Sequence, residues 1–204
     1  MVKRIVPFLM LALCFSTVHA GYADGLISAG EYESGVEWFS STLIVNGGGA
    51  DEIFVRYAAR LEVRSTSSPL GLDVGGIMDI ALTNTSRMDY YGGLTQELSL
   101  FKNATTYLYG GRIDYISSHQ LVQWLNGEPF GQHIIIDCQL GWSWILNNQQ
   151  KVGIAGMWRD GSAFNIRFLN DADYDPVWAN VNVMPEPASM FLLGLGGLLL
   201  RRKK

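Results

Sequence analysis

Three aspartates at alternate positions, Asp171, Asp173 and Asp175, form the spacing in this chain that most suggests chemistry. Alternate carboxylates can turn several oxygens onto one calcium ion, but a calcium loop also needs a glycine at its sharp turn and a closing glutamate. Here Pro176 follows and neither requirement is met, so the segment reads as a solvated acidic loop. Asp24-Gly25 through Glu31 has the second half of such a loop, yet its first two ligand positions would be Ala20 and Tyr22, which do not coordinate. His119 and His133 have no cysteine or glutamate at metal-ligand spacing. No serine sits in a Gly-x-Ser-x-Gly elbow, and no glycine-rich loop ends in Lys-Ser/Thr. Paired carboxylates such as Asp51-Glu52 could do acid–base work on a sugar, as those of any acidic β protein could, and such work depends on their separation. Cys138, in His133-Ile-Ile-Ile-Asp137-Cys138, reads as a small buried hydrophobe on an apolar strand. These residues give no catalytic, cofactor or metal assignment, and the expectation is a protein that is not an enzyme.

The elements around them have the period of strands. Runs 36–45, 53–63, 134–138, 152–158 and 163–168 are short and rich in branched and aromatic residues, separated by Gly, Asn, Ser or Asp. No stretch keeps apolar residues at helical spacing over three turns, which predicts an all-β body. Trp158-Arg159-Asp160-Gly161-Ser162-Ala163 places an Asp-Gly pair between two such runs and predicts a hairpin with a tight primed turn, with Arg159 and Asp160 as turn residues.

The middle of the chain repeats itself on glycine pairs at Gly75-Gly76, Gly92-Gly93 and Gly110-Gly111, with Gly48-Gly49 as a degenerate earlier copy. Each unit continues into an apolar strand and a small polar corner (Asn84 to Ser86, Asn103 to Thr106), and the first two end in a tyrosine before the next pair. A period this short suits a β-solenoid, in which each coil buries its apolar face only when the next one stacks on it. Glycine pairs would turn the corners, and Leu82 and Leu98 would stack inside. The repeats would span about 48–118, with β-rich segments capping them and the aromatic cap at about 119–183. The alternative is an antiparallel β-sandwich, whose hairpins also recur at glycine-rich turns.

Both ends of the chain differ from the body. Lys3 and Arg4 precede an apolar stretch from Ile5 to Val18 that closes on Val18-His19-Ala20, the three parts of a secretory signal peptide, so residues 1–20 are expected to be removed. Without that leader Cys14 is lost and no internal disulfide remains. At the other end Pro185-Glu186-Pro187 leads into an apolar run to Leu200 and then Arg201, Arg202, Lys203 and Lys204. Cations beside an apolar segment stay on the cytoplasmic side of a membrane. Ser189 to Leu200 would make about 18 Å of helix at 1.5 Å per residue, short of the roughly 30 Å hydrocarbon core, so a short C-terminal membrane helix acting as a transient tether is expected. With six of its fifteen basic residues in the two ends, residues 21–187 hold nine against nineteen acidic ones, a net charge of −10. That balance disfavours nucleic acid as a partner, because phosphate binding rests on Lys and Arg.

The tail from Val183 to Lys204 resembles the PEP-CTERM sorting domain of bacterial exported proteins: it has the Pro-Glu-Pro step, the glycine-interrupted apolar run and the basic end in that order. The resemblance implies Pro185, Glu186 and Pro187 as the sorting motif and Arg201 to Lys204 as the anchor flank. It also implies an exosortase, an integral-membrane cysteine protease, as the processing partner, and the membrane as a second partner. The body is similar to other exported proteins with this tail in its Asp24-Gly25 opening, its glycine pairs and Asp173-Tyr-Asp-Pro176-Val-Trp178, which implies no activity. The opening also resembles the start of some carbohydrate-binding β-sandwich modules.

Together these readings divide the chain into a signal peptide (1–20), an all-β exported domain (21–184) and a sorting and anchor segment (185–204). They describe an exported surface or extracellular-matrix protein without catalysis of its own, anchored at least transiently before it reaches the cell surface or exterior. The alternatives are a carbohydrate-binding module using exposed Trp and Tyr on an extracellular polysaccharide, or a polysaccharide-acting enzyme.

Overall fold

A computed structural model describes residues 25–66, 76–119 and 133–185. The first strands are β1 (Leu26–Ser28), β2 (Tyr32–Glu33), β3 (Val36–Trp38), β4 (Thr42–Val55), β5 (Arg60–Thr66), β6 (Ile77–Leu82), β7 (Arg87–Tyr90) and β8 (Leu94–Phe101). They continue with β9 (Thr105–Leu108), β10 (Arg112–His119), β11 (His133–Cys138), β12 (Ser143–Asn147), β13 (Gln150–Met157), β14 (Ala163–Leu169) and β15 (Val181–Pro185). One short 3-10 helix, Val177–Asn180, precedes the last strand. The described residues contain no α-helix, so the all-β class is correct. The leader, Glu186, Pro187, the expected C-terminal helix and Arg201, Arg202, Lys203 and Lys204 lie outside the described residues. No described helix is long and apolar enough to cross a membrane.

Consecutive strands alternate between two stacks of parallel ladders. The first stack runs β1, the front of β4, β5, β7, β9, β11, β15; the second runs β2 and β3, the back of β4, β6, β8, β10, β14. Antiparallel pairing among the described strands is confined to β12–β13–β14, with one bridge between Cys138 and Trp158. The alternative of an antiparallel sandwich is therefore not what these residues build.

The registers explain the repeat. Leu26 lies beside Ile44, Thr42 beside Arg60, Ile77 beside Thr95, Thr95 beside Ile113, and Arg87 beside Thr105, each a step of 18 residues. The step lengthens to 27 between Arg60 and Arg87 and to 28 between Thr105 and His133, because extra chain enters before β6 and before β11. Leu98 therefore sits on Ile80 and Leu82 on Leu100, correcting the expected Leu82–Leu98 stack. The glycine pairs recur at 17 residues here and miss the 18-residue register by one, and the Leu82–Leu98 step of 16 misses it by two, because register depends on strand partners.

Two apolar columns follow from these steps. Val45, Val63, Tyr90, Leu108 and Ile136 face inward from the first stack, and Ile53, Ile80, Leu98 and Ile116 from the second, all at most 1% exposed. In the second stack β4, β6, β8 and β10 each have two consecutive residues that face away from the core: Asp51-Glu52, Met78-Asp79, Gln96-Glu97 and Asp114-Tyr115. Simple alternation would have buried one of each pair.

The corners come in two kinds. Gly76 has φ +117°, and a Cβ there would lie 2.0 Å from the carbonyl oxygen of Leu94, so only glycine fits. The opposite corners are β-turns closed by Ala59 N–H to Arg56, Ser86 N–H to Thr83 and Ala104 N–H to Phe101, at 3.2 to 3.3 Å. Their positive-φ residues are Tyr57, Asn84 and Lys102, not glycine, and the small closing residues Ala59, Ser86 and Ala104 are fully buried. Such corners split the expected runs 36–45 and 53–63 at Ser41 and Tyr57.

The hairpin at 158–162 forms, with a longer loop than a two-residue primed turn. Trp158 N–H reaches Ser162 carbonyl at 2.8 Å, and Gly161 (φ +86°) donates to Trp158 at 3.0 Å, a turn followed by a glycine bulge. Asp160 accepts from the backbone and hydroxyl of Ser162, which holds its carboxyl below the usual range. Trp158 is fully buried, 4.3 Å from the Phe164 ring, and its indole N–H donates to Gly111 carbonyl at 2.8 Å.

Candidate functional site

The C-terminal strand carries the one sorting residue that is described. β15 pairs in parallel with β11, Ile134 beside Val181 through Asp137 beside Met184 and Cys138 beside Pro185. Among the described residues it is the last strand of its stack and pairs with β11 alone. Val181 and Val183 pack on the core, while Asn182 and Met184 are exposed. Its entry is pinned: Val177 is buried, and the amide of Asn180 donates to the buried Ser118 hydroxyl at 2.7 Å. Its partner strand is pinned at the far end, where Arg159 donates to Asp137 at 2.7 Å and Gln139 N–H reaches Met157 carbonyl at 2.9 Å. Arg159 is thus a turn residue that also fixes β11. Cys138 is fully buried, and burial, with Asp137 adding, pushes its thiol up, which fits a packing residue.

The residues beyond Pro185 are assigned by comparison. Residues 185–204 match the model of the PEP-CTERM protein-sorting motif. The chain carries a PEP-CTERM sorting signal. No curated protein and no solved structure matches the chain. The signal marks an exported protein that an exosortase, a membrane enzyme, processes. In this PEP-CTERM protein the motif therefore begins on the last residue of a paired strand, and no linker separates it from the folded body.

The body's polar groups fall into three further places. On the first stack Asp89, with its side chain 1% exposed, accepts from Arg60 at 2.8 Å and from Arg87 at 2.8 and 3.0 Å. Arg87 also lies 4.2 Å above the Tyr107 ring, and its hydrogen bond to Asp89 raises its pKa. On the second stack Glu52, Asp79 and Glu97 follow one another along the outward bend. Burial and then the neighbouring carboxylates, Asp79 and Glu37 for Glu52 and Glu97 for Asp79, raise both pKa values. The third place is a cleft of about 500 Å³ where β10 and β14 splay apart, because they pair only from Tyr115 to Ser117. Arg112, Asp114, Tyr115, Asn165 and Arg167 line it, and Arg112 binds Asp114 at 2.7 and 3.3 Å.

Of the other residues the sequence singled out, His119 stacks on Phe101 at 4.4 Å and meets the edge of Tyr174, and His133 lies exposed on β11. Asp171 accepts from the backbone of Asp173 at 3.1 Å. No group of three metal-ligating side chains occurs among the described residues. Asp51 accepts from the Tyr32 hydroxyl at 2.6 Å. Sequence reasoning missed the Asp89 cluster and the cleft. The signal for the first was Arg60 and Arg87 at a 27-residue step, hidden by the extra chain before β6; for the cleft there was none.

Proposed function

We propose that this is a non-catalytic surface or extracellular-matrix protein, exported through the signal peptide 1–20 and handed on through the PEP-CTERM motif, with a short β-solenoid as its body. The observation that carries the reading is the sorting motif joined directly to an acidic all-β body. Repeated 18-residue registers in two parallel stacks support the solenoid, since stacking of equivalent positions is what such a coil requires. A net charge of −10 over residues 21–187 keeps the body soluble and apart from phosphate polymers. Intact-mass analysis of protein from its own host tests this: residues 1–20 are lost and the chain is cut or modified near Pro185-Glu186-Pro187. Recovery of the unaltered chain from the cytosol would refute it, and Glu186→Ala should leave the C-terminal end unprocessed.

A second reading, a carbohydrate-binding module, is favoured by the cleft between β10 and β14. The tyrosine faces are less suitable than the sequence suggested, because Tyr91 and Tyr109 stack on each other at 4.9 Å, and Lys151 lies 4.3 Å over Trp178 and 4.7 Å over Trp144. In the cleft Tyr115 offers a ring, and Arg112, Asn165 and Arg167 offer hydrogen-bond donors to hydroxyls. The acidic body repels polyanions, so the ligand class is a neutral glycan chain. Binding on a glycan array that disappears in Tyr115→Ala supports this reading; a blank array for the intact protein counts against it.

A further inference from the structure

The sorting motif and the last strand share a residue. Pro185 opens the motif, and its backbone is still in register with Cys138 of β11. A processing enzyme reads its substrate as an extended peptide and contacts residues on both sides of the reacting bond. In this chain the residues immediately before the motif are held in a sheet. Val181 and Val183 face the core, and β11 behind them is fixed by Arg159, the Cys138–Trp158 bridge and Gln139. From Pro185 to Ser189 an extended chain spans only about 13 Å at 3.3 Å per residue, so a folded body stands at the entrance of any membrane-embedded active site.

We propose that β15 is a gate on sorting: the motif becomes readable only when β15 opens from β11, so processing proceeds at the rate and population of that local opening. The strand is built for opening from its C-terminal end. Among the described residues it pairs with β11 alone, Pro185 has no N–H for the ladder, and Met184 and Asn182 are exposed. Its other end is anchored through Val177 and Asn180, so release stops before the body unravels. Edge segments with few buried contacts open far more readily than the whole domain, which makes such a step accessible without global unfolding. The gate also orders events, since β15 can pair only after β11 has joined the stack and the body has folded.

The proposal rests on the sorting reading and is tested separately from it. Ile135 and Asn182 are directly opposed on the outward side of β11 and β15. Parallel neighbours stand about 4.8 Å apart, within disulfide range, so Ile135→Cys with Asn182→Cys staples the gate in an oxidising compartment. In a host that makes the processing enzyme, the stapled chain should be processed at least about tenfold more slowly, because the open form is removed from the ensemble. Reductant should restore the rate, which controls for misfolding. A ten-residue Gly/Ser spacer between Met184 and Pro185 should make processing of the stapled chain as fast as that of the unstapled spacer chain. Processing of the stapled chain at the unmodified rate would overturn the gate, as would a spacer that fails to rescue it. If the unmodified chain itself is not processed, the sorting reading fails and the gate falls with it.

Discussion

The outer faces of the two stacks carry charge in opposite ways. On the first, a single aspartate is held by two arginines: Asp89 is withdrawn from water and paired with Arg60 and Arg87, and Arg87 lies over the Tyr107 ring. On the second, Glu52, Asp79 and Glu97 stack one strand above another, and no ion pair reaches Glu52 or Asp79 among the described residues. Both patterns come from the same repeat. Residues in register repeat their sign on both: Arg60 stands opposite Arg87 and Glu62 opposite Asp89 on the first, where opposite charges then meet diagonally, Arg60 with Asp89, whereas on the second the like charges simply face one another, which costs stability. The first face thus holds adjacent strands together, and the second sets them slightly against one another.

The largest expected effect breaks the first face. Asp89→Asn leaves two guanidiniums sharing a buried neutral amide and should lower unfolding stability by about 2 kcal/mol in urea titration, less than for a fully buried pair because both arginines are half exposed. A loss under about 0.5 kcal/mol would show that this face is ordinary surface. The second face should respond with the opposite sign. Asp79→Asn removes the middle charge of the ladder and should stabilise by about 0.5 kcal/mol at neutral pH. In about 1 M salt, where the Debye length is near 3 Å and shorter than the strand spacing, that gain should vanish.

The pH dependence sharpens the same contrast. Glu52 and Asp79 have folded-state pKa values above their ordinary 4.5 and 3.8, so the folded protein binds these protons more tightly than the unfolded chain. Their contribution therefore grows as pH falls toward and through the carboxylate range and is lost as pH rises above it. The stability gap between Asp79→Asn and the unaltered protein should close on mild acidification, followed as thermal midpoint against pH; a constant gap would remove the charge explanation. At the alkaline end, burial and the bond to Asp51 push Tyr32 up to about 12, so stability should fall from about pH 10 to 12, less so in Tyr32→Phe. The smallest effect belongs to Arg112, whose pair with Asp114 is 72% exposed on the arginine side: Arg112→Ala should change stability by no more than about 0.3 kcal/mol.

Much of the fold was legible where a residue type has one physical use. Glycine pairs marked one set of corners because Gly76 sits at a φ and a contact that exclude a side chain. Asp160-Gly161 marked a hairpin. Of the opposite corners, the polar stretches Asn84 to Ser86 and Asn103 to Thr106 marked two, whereas the one at Tyr57 carried no such signal, since Tyr57 takes positive φ only because the strands stacked on either side fix the chain path. The β12–β13 hairpin was missed for a related reason: Asn148 and Gln149 both have positive φ, the signature of a primed turn, without the glycine that usually announces it.

The sequence by itself determined the strand character of the body, its acidity and its address, because each depends on composition or on residues adjacent in the chain. Only the tertiary structure decided which charges meet and that the sorting motif starts inside a paired strand. Those facts depend on register. Register is set by which strands lie side by side, and extra chain before β6 and β11 shifts the numbering without shifting the stack.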